Sequence, residues 1–160
     1  MLSAPAFIQQ IRQHQKIIHK VCHLYADSPE DREDLFQEIL LNAWKANPGF
    51  RQEARFSTWL YQIALNTAIS YLRKEKRRPR RTDLDPELHL PDAADPAEAQ
   101  YADLYRAIGR LDKVDKALVM LYLDDYDYTT IGQMMGITPN YVAVKMSRIK
   151  QQLKQALQTA

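Results

Sequence analysis

One face of a helix predicted over about Ser57–Arg77, with Ser57 as its N-cap, carries side chains that can contact nucleic acid. Its members follow one another at steps of three, four, four, three and four residues: Trp59, Gln62, Asn66, Ser70, Arg73 and Arg77. Carboxamides pair with adenine edges, guanidinium groups pair with guanine or phosphate, and rings stack on bases. An ordinary polar face with Trp59 folded inward is the alternative. The basic run over 73–81 favours the nucleic-acid interpretation.

The segment before this helix mixes rings with cations. Asn47-Pro48-Gly49 is a turn signal, and Phe50, Arg51, Arg55 and Phe56 follow it. Aromatic rings and guanidinium planes stack on unpaired bases, so this loop can hold a base that has left its duplex. The alternative is that both phenylalanine rings enter the core.

An acidic face precedes the loop. The spacing predicts a helix over Asp31–Lys45 whose core stripe is Leu35, Phe36, Ile39, Leu40 and Ala43. The other face presents Asp34, Gln37, Glu38 and Leu41. This set is either a solvated surface with acids near the helix N-terminus or a docking face for a basic partner helix.

The last third of the chain predicts a helix-turn-helix. Asp127 can cap a short helix, Gly136 can end it, and Thr138 can cap a second helix that has Pro139 at its first position. Gly132 within the first helix indicates a close approach between helices. A recognition helix reads the major groove mainly through its first turns. The side chains that face outward there are Thr138, Asn140, Tyr141, Val144 and Arg148, with Lys145 at the margin.

The elements that position these groups are predicted to form an all-α protein with two small domains, over 1–78 and 99–160. The run at 117–123 is apolar around most of its circumference and should be the buried centre of the second domain. Prolines recur between 79 and 98, which predicts an extended acidic linker. The net charge of +2 hides this segregation: residues 69–81 sum to +6 and residues 82–104 to −7.

Other classes of protein have less support. There is no segment apolar enough for a membrane span or an export signal, and Cys22 has no disulfide partner, so we expect a cytoplasmic protein without membrane insertion. No phosphate loop, nucleophile elbow or catalytic acid pair indicates an enzyme, and no cofactor is expected. His19, Cys22 and His23, with His14 nearby, could share a zinc ion, but partly buried helix residues explain them better.

Three segments in this order closely resemble the conserved regions of bacterial sigma-70 family factors, in the small extracytoplasmic-function (ECF) group. They are DREDLFQEILLNAWK, FRQEARFSTWLYQIALNTAISYLRKEKRR and YTTIGQMMGITPNYVAVKMSRIKQQL. The resemblance implies a sigma factor that binds core RNA polymerase and directs promoter-specific initiation. Region 2 would dock on the β′ clamp helices and would melt and read the −10 element. Region 4 would bind the β-flap and read the −35 element, and an anti-sigma factor would be a further partner.

The resemblance also implies roles for single residues. Asp34, Gln37 and Glu38 match the polymerase-docking motif, and Asn47–Arg55 matches the loop that captures a flipped −10 base. The implied −10 contacts are Asn47, Phe50, Arg51, Arg55, Trp59, Gln62, Asn66, Arg73, Lys74 and Arg77. The implied −35 contacts are Thr138, Asn140, Tyr141, Val144, Lys145 and Arg148. Leu65, Ala143 and Lys145 depart from the family pattern, in which cations are common at the first two positions and arginine at the third.

The main alternative is a stand-alone helix-turn-helix regulator in which residues 1–78 serve dimerisation or sensing. Such a protein would bind duplex DNA tightly without polymerase and usually as a two-fold dimer. A gel shift and a sizing column would therefore distinguish it from a sigma factor.

Overall fold

The computed structural model describes residues 1–75 and 101–158, with side chains described over 1–71 and 101–158. Every regular element in those ranges is helical, as predicted. The chain divides into two compact units, Met1–His89 and Leu90–Ala160. The predicted linker over 79–98 lies outside the described residues. Within the described ranges, no helix is both long enough and apolar enough to cross a membrane.

Three helices that all contact one another form the first unit. They are α1 (Ala4–Tyr25), α2 (Pro29–Ala46) and α3 (Phe56–Glu75), and a 3-10 turn over Asn47–Gly49 follows α2. Serine hydroxyls cap the first two helices: Ser3 Oγ accepts from Ala6 N at 3.4 Å, and Ser28 Oγ accepts from Asp31 N at 3.0 Å. Because Ser28 is the cap, α2 begins two residues earlier than the apolar spacing alone predicts.

The predicted core stripe of α2 faces inward, against a buried stripe on α3. Leu35, Ile39, Leu60 and Ala64 are completely excluded from solvent. Asn42 Nδ2 on α2 donates to the buried Thr67 Oγ1 on α3 at 3.0 Å, which joins the two helices beside this core. Phe36 and Leu40, also predicted as core, are only half-buried, as are Ile63 and Tyr71 on α3.

The start of α3 differs from the prediction. Ser57 lies inside the helix, which begins at Phe56, and Arg55 O accepts from Trp59 N at 3.1 Å as the first helical bond. Helix α3 begins earlier because the ring of Phe56 is buried among other aromatic rings, which fixes the Phe56 backbone in the first turn.

Four helices form the second unit: α4 (Ala102–Gly109), α5 (Lys113–Leu123), α6 (Tyr128–Met135) and α7 (Pro139–Gln158). Helix α7 contacts each of the other three. The apolar run on α5 is buried from Ala117 to Leu121, but Tyr122 and Leu123 are exposed, so the predicted buried centre ends earlier than the run does. On α7, Val142, Met146 and Ile149 are buried as expected.

The turn between α6 and α7 has the predicted helix-turn-helix geometry. Asp127 Oδ1 accepts from Thr130 N at 2.7 Å at the start of α6, and this bond lowers the pKa of the Asp127 carboxyl. Gly136 ends α6 in the left-handed region with φ 71°. Thr138 Oγ1 accepts from Tyr141 N at 3.2 Å and Pro139 opens α7, so all the predicted caps of this motif are confirmed.

Gly132 is the tightest point of this turn. An added Cβ would lie 2.5 Å from the carbonyl oxygen of Ile137, which is a backbone atom and cannot move away cheaply. The same glycine accepts through its own carbonyl from Ile137 N at 2.9 Å. The close approach is therefore to the backbone of the turn between α6 and α7, whereas the sequence predicted an approach between helices.

We predict that Gly132→Ala destabilises the second unit by about 1–2 kcal/mol, because the clash exceeds the gain in helix propensity. Thermal unfolding of the full chain should show a midpoint lowered by several degrees, at about 4–8 °C per kcal/mol for a unit of this size. Gly109→Ala is the control, since nothing lies within 4 Å of its added Cβ. Equal midpoints for the two variants would refute the steric role of Gly132.

Candidate polymerase and nucleic-acid interfaces

The acidic face of α2 points outward as predicted. Asp34, Gln37 and Leu41 are exposed and Glu38 is half-buried, while the neighbouring Leu35 is in the core. Trp44 extends this face, since it lies seven residues after Gln37, or about two helical turns. Trp44 is not among the residues predicted for this face, although its spacing from Gln37 carries the signal. The extended face of α2 combines carboxylates with exposed apolar groups, and this combination suits a protein partner better than phosphate.

An aromatic cluster joins this part of α2 to the other helices. Phe7 on α1 packs edge-on against Trp44 at a centroid distance of 5.0 Å and against Phe56 at 6.4 Å. Phe50 lies 5.7 Å from Phe56 and 4.8 Å from Trp59. Offset and edge-on pairs of this kind stabilise a core beyond their buried area. The cluster therefore forms a rigid support for the loop between α2 and α3.

Two predicted DNA contacts in that loop are corrected by burial. Asn47 is 1% exposed and Phe50 is 6% exposed, so neither side chain faces an incoming base in this conformation. Asn47 instead bonds the backbone of Leu2, and the ring of Phe50 fills the aromatic cluster. The alternative stated for the rings, that they enter the core, is the one observed.

The tip of the loop is open. Residues 51–55 are all exposed, including the predicted contacts Arg51 and Arg55. Gln52 has φ 59°, a left-handed conformation uncommon outside glycine. Two guanidinium groups thus lie at the ends of a short tight turn next to the aromatic cluster, where they can reach phosphates or stack on a nucleobase.

The predicted nucleic-acid face of α3 continues from this tip. Asn66 and Ser70 are exposed, and Gln62 and Trp59 are half-buried. The Trp59 ring packs against the rings of Phe50 and Phe56. Arg73 and Lys74 lie in the last turn of α3, and Arg77 lies outside the described residues. Leu65, where the family pattern has a cation, is completely buried, which accounts physically for an apolar residue at this position.

The recognition helix α7 presents its first turns to solvent. Thr138, Asn140, Tyr141, Val144 and Arg148 are exposed, as predicted. Lys145 is different, because its ammonium group lies 3.4 Å from the carboxylate of Asp115 on α5, with side chains 26% and 13% exposed respectively. This cation is therefore partly neutralised within the protein.

An apolar groove lies on the second unit away from the first turn of α7. Its lining includes Leu104, Leu123 and Leu157, with Lys150 and Lys154 at the rim. Lys150 lies over the ring of Tyr122 at 4.4 Å, and its hydrogen bond to Tyr122 raises the pKa of the ammonium group. The groove thus combines apolar side chains with a cation, a combination suited to a protein partner.

The histidine and cysteine residues of α1 have structural contacts. His14 Nδ1 donates to Gln10 O at 2.9 Å at a kink in the helix, and the His19 ring packs on Phe36 at 4.8 Å. Burial raises the pKa of the Cys22 thiol to about 12, which disfavours the thiolate that zinc requires. Among the described residues, no three His, Cys, Asp or Glu side chains are grouped to hold a metal ion.

Comparison with known families agrees with these features. Residues 10–78 match the family model Sigma-70 region 2, and residues 101–153 match Sigma-70, region 4. Among curated proteins, the chain is 28% identical over 153 residues to the ECF RNA polymerase sigma factor SigM of Mycobacterium tuberculosis, covering 95% of this chain and 77% of SigM. It is 29% identical over 157 residues to the ECF RNA polymerase sigma-E factor of Escherichia coli K12, covering 88% and 82%.

Solved structures share the fold. The sigma factor RpoE of Bartonella quintana, crystallised with the anti-sigma factor NepR, aligns with a TM-score of 0.76 and 19% identity over 95% of this chain and 96% of RpoE. CnrH, solved in complex with the cytosolic domain of CnrY, aligns with a TM-score of 0.68 and 20% identity over 98% of this chain and 90% of CnrH.

A helical unit with an acidic outer face, joined in one chain to a helix-turn-helix unit, defines a DNA-binding transcription protein. The chain belongs to the sigma-70 family, in its ECF group. It is accordingly a transcription initiation factor that works with core RNA polymerase at promoters. The match to region 2 assigns the first unit to a sigma domain and removes the basis for the dimerising regulator considered above.

Proposed function

We propose that the two units divide the work of promoter recognition between named surfaces. Asp34, Gln37 and Glu38, extended by Leu41 and Trp44, dock on the β′ clamp helices of core polymerase. The observation that carries this assignment is the contrast within one unit between the acidic face of α2 and the arginine-bearing loop tip. Carboxylates repel phosphate, so the α2 face suits a basic protein surface and the tip suits DNA.

The DNA side of the first unit is the tip over 51–55 together with Trp59, Gln62 and Asn66 on α3, continued by Arg73, Lys74 and Arg77. We assign these groups to the single-stranded −10 element, because exposed guanidinium groups and carboxamides beside a partly exposed indole ring can hold unstacked bases. The aromatic cluster favours this role, because a loop that is already held rigid loses less conformational entropy when it binds DNA.

The second unit reads the −35 element through the first turns of α7. Asn140, Tyr141, Val144 and Arg148 are exposed where a recognition helix meets base edges, and Thr138 fixes the start of the helix. Lys145 contributes once it leaves Asp115. The groove beside Lys150 is the surface we assign to the β-flap.

Tethering makes two weak DNA readers effective together. Each unit alone offers few phosphate contacts, and polymerase presents both at once, which raises their effective concentration. RpoE was solved in complex with the anti-sigma factor NepR, and CnrH in complex with the cytosolic domain of CnrY. By analogy we propose an anti-sigma factor for this chain, acting in the bacterial cytoplasm where polymerase and chromosome are.

The first of two predictions from this proposal concerns the docking face. Asp34→Lys should weaken binding to core polymerase roughly tenfold or more, because a like charge then opposes a basic partner surface. Initiation from a library of randomised upstream sequences, with core polymerase, should yield chain-dependent transcripts that share two motifs, and the variant should lose them. Asp27→Lys, the same charge change at an exposed residue outside α2, is the control. Equal losses in both variants, or no chain-dependent transcripts, would contradict the proposal.

The second prediction concerns the ion pair on the DNA side of α7. Asp115→Asn should release Lys145 for phosphate and strengthen binding to duplex −35 DNA roughly two- to fivefold, since a partly exposed pair is worth about 1 kcal/mol or less. The slope of log K against log salt should steepen by up to about 0.9, one additional phosphate contact.

Asp103→Asn is the matched control for this measurement. It makes the same change in net charge, but Asp103 pairs with Arg106 on α4 and not with Lys145. If both variants raise affinity and slope equally, net charge alone explains the effect and Asp115 has no special role.

A further inference from the structure

The start of the chain is bonded to the loop between α2 and α3. Leu2 N donates to Asn47 Oδ1 at 3.0 Å, and Asn47 Nδ2 donates to Leu2 O at 2.8 Å. The Met1 nitrogen donates to Phe50 O at 3.0 Å. We call these three bonds the N-terminal clasp. They connect positions 45 to 49 residues apart in sequence, at the point where the loop leaves α2.

The chemistry of the clasp requires an asparagine. Its carboxamide offers an acceptor and a donor on one short side chain, and here both are used by the peptide groups of a single residue. Asn47 is 1% exposed, so water cannot replace a lost bond easily. A buried carboxamide with both ends satisfied fixes the position of its own backbone.

That backbone supports the exposed tip. Asn47 O accepts from Phe50 N at 3.0 Å to close the 3-10 turn, and the ring of Phe50 is then set against Phe56 and Trp59. The tip over 51–55 starts at the next residue and includes Gln52 at φ 59°. The clasp therefore sets the near end of the tip, and the start of α3 sets the far end.

We propose that the N-terminal clasp holds the tip in the conformation that receives an unpaired −10 base, and that Asn47 is a positioning residue which does not touch DNA. This inference rests on the proposed function. Without the clasp, the tip would have to be ordered when DNA binds, and the affinity for single-stranded −10 DNA would fall by that cost. Contacts to polymerase and to the −35 element are made elsewhere and should not change.

The test breaks the clasp from each side in the full chain. Asn47→Ala removes both side-chain bonds. Leu2→Pro removes the backbone N–H that donates to Asn47 Oδ1. Two controls keep the clasp. Leu2→Ala retains the backbone groups, and Asn42→Ala removes a partly buried bond between α2 and α3 that is made by the same residue type. Each variant is bound to core polymerase, and its affinity is measured for a −10 single strand selected from the randomised library and for a −35 duplex.

We expect Asn47→Ala and Leu2→Pro each to weaken −10 single-strand binding roughly tenfold through the lost preorganisation. The double variant should be no weaker than either single variant, since both break one device. Affinities for polymerase and for the −35 duplex should stay at the unmodified values, which separates positioning from general destabilisation. Amide hydrogen exchange in the free chain should accelerate at 50–56 in both clasp variants and at neither control.

The outcomes separate the two levels of inference. If the unmodified chain with polymerase does not bind the −10 strand, the proposed function fails, and hydrogen exchange still decides whether the clasp orders the tip. Loss in Asn47→Ala but not in Leu2→Pro would overturn the proposal in favour of direct DNA contact by Asn47. Unchanged −10 binding in both clasp variants, or equal loss in Asn42→Ala, would also overturn it.

Discussion

The packing of α2 against α3 determines where the proposed binding surfaces of the first unit lie. Leu35 and Ile39 on one helix and Leu60 and Ala64 on the other are wholly buried, and burying a leucine or isoleucine side chain contributes about 1.5–3 kcal/mol. A rotation of α2 by one residue, about 100°, would move Asp34 into the buried place of Leu35 and Leu35 into the half-buried place of Phe36. The core therefore fixes the outward direction of the acidic face, and a unit of this size has no second core to offset an error.

The aromatic cluster extends this core to the loop that carries the arginines. Phe7, Trp44, Phe56 and Trp59 come from three different helices, and Phe50 comes from the loop itself. Trp44 belongs both to the cluster and to the exposed end of the α2 face. The proposed polymerase and DNA surfaces of this unit thus share one rigid support.

Local sequence signals predicted much of this structure. The caps at Asp127 and Thr138, the left-handed Gly136 and the exposed first turn of α7 all depend on residues close together in sequence, and all are confirmed. The acidic face of α2 followed equally from helical spacing. The features that the sequence did not predict depend on distant partners. Asn47 is bonded to Leu2, α3 begins at Phe56, whose ring joins the aromatic cluster, and Lys145 is paired with Asp115. Periodicity within one helix carries no information about such contacts.

Photocrosslinking within one promoter complex can locate all three surfaces at once. A photoreactive amino acid replaces Asp34, Asn66 or Val144, each exposed, in the full chain assembled with core polymerase and promoter DNA. We predict that position 34 crosslinks to the β′ subunit, position 66 to the −10 strand and position 144 to the −35 duplex. A crosslink from position 34 to DNA, or from position 66 to polymerase and not to DNA, would contradict the division of surfaces proposed here.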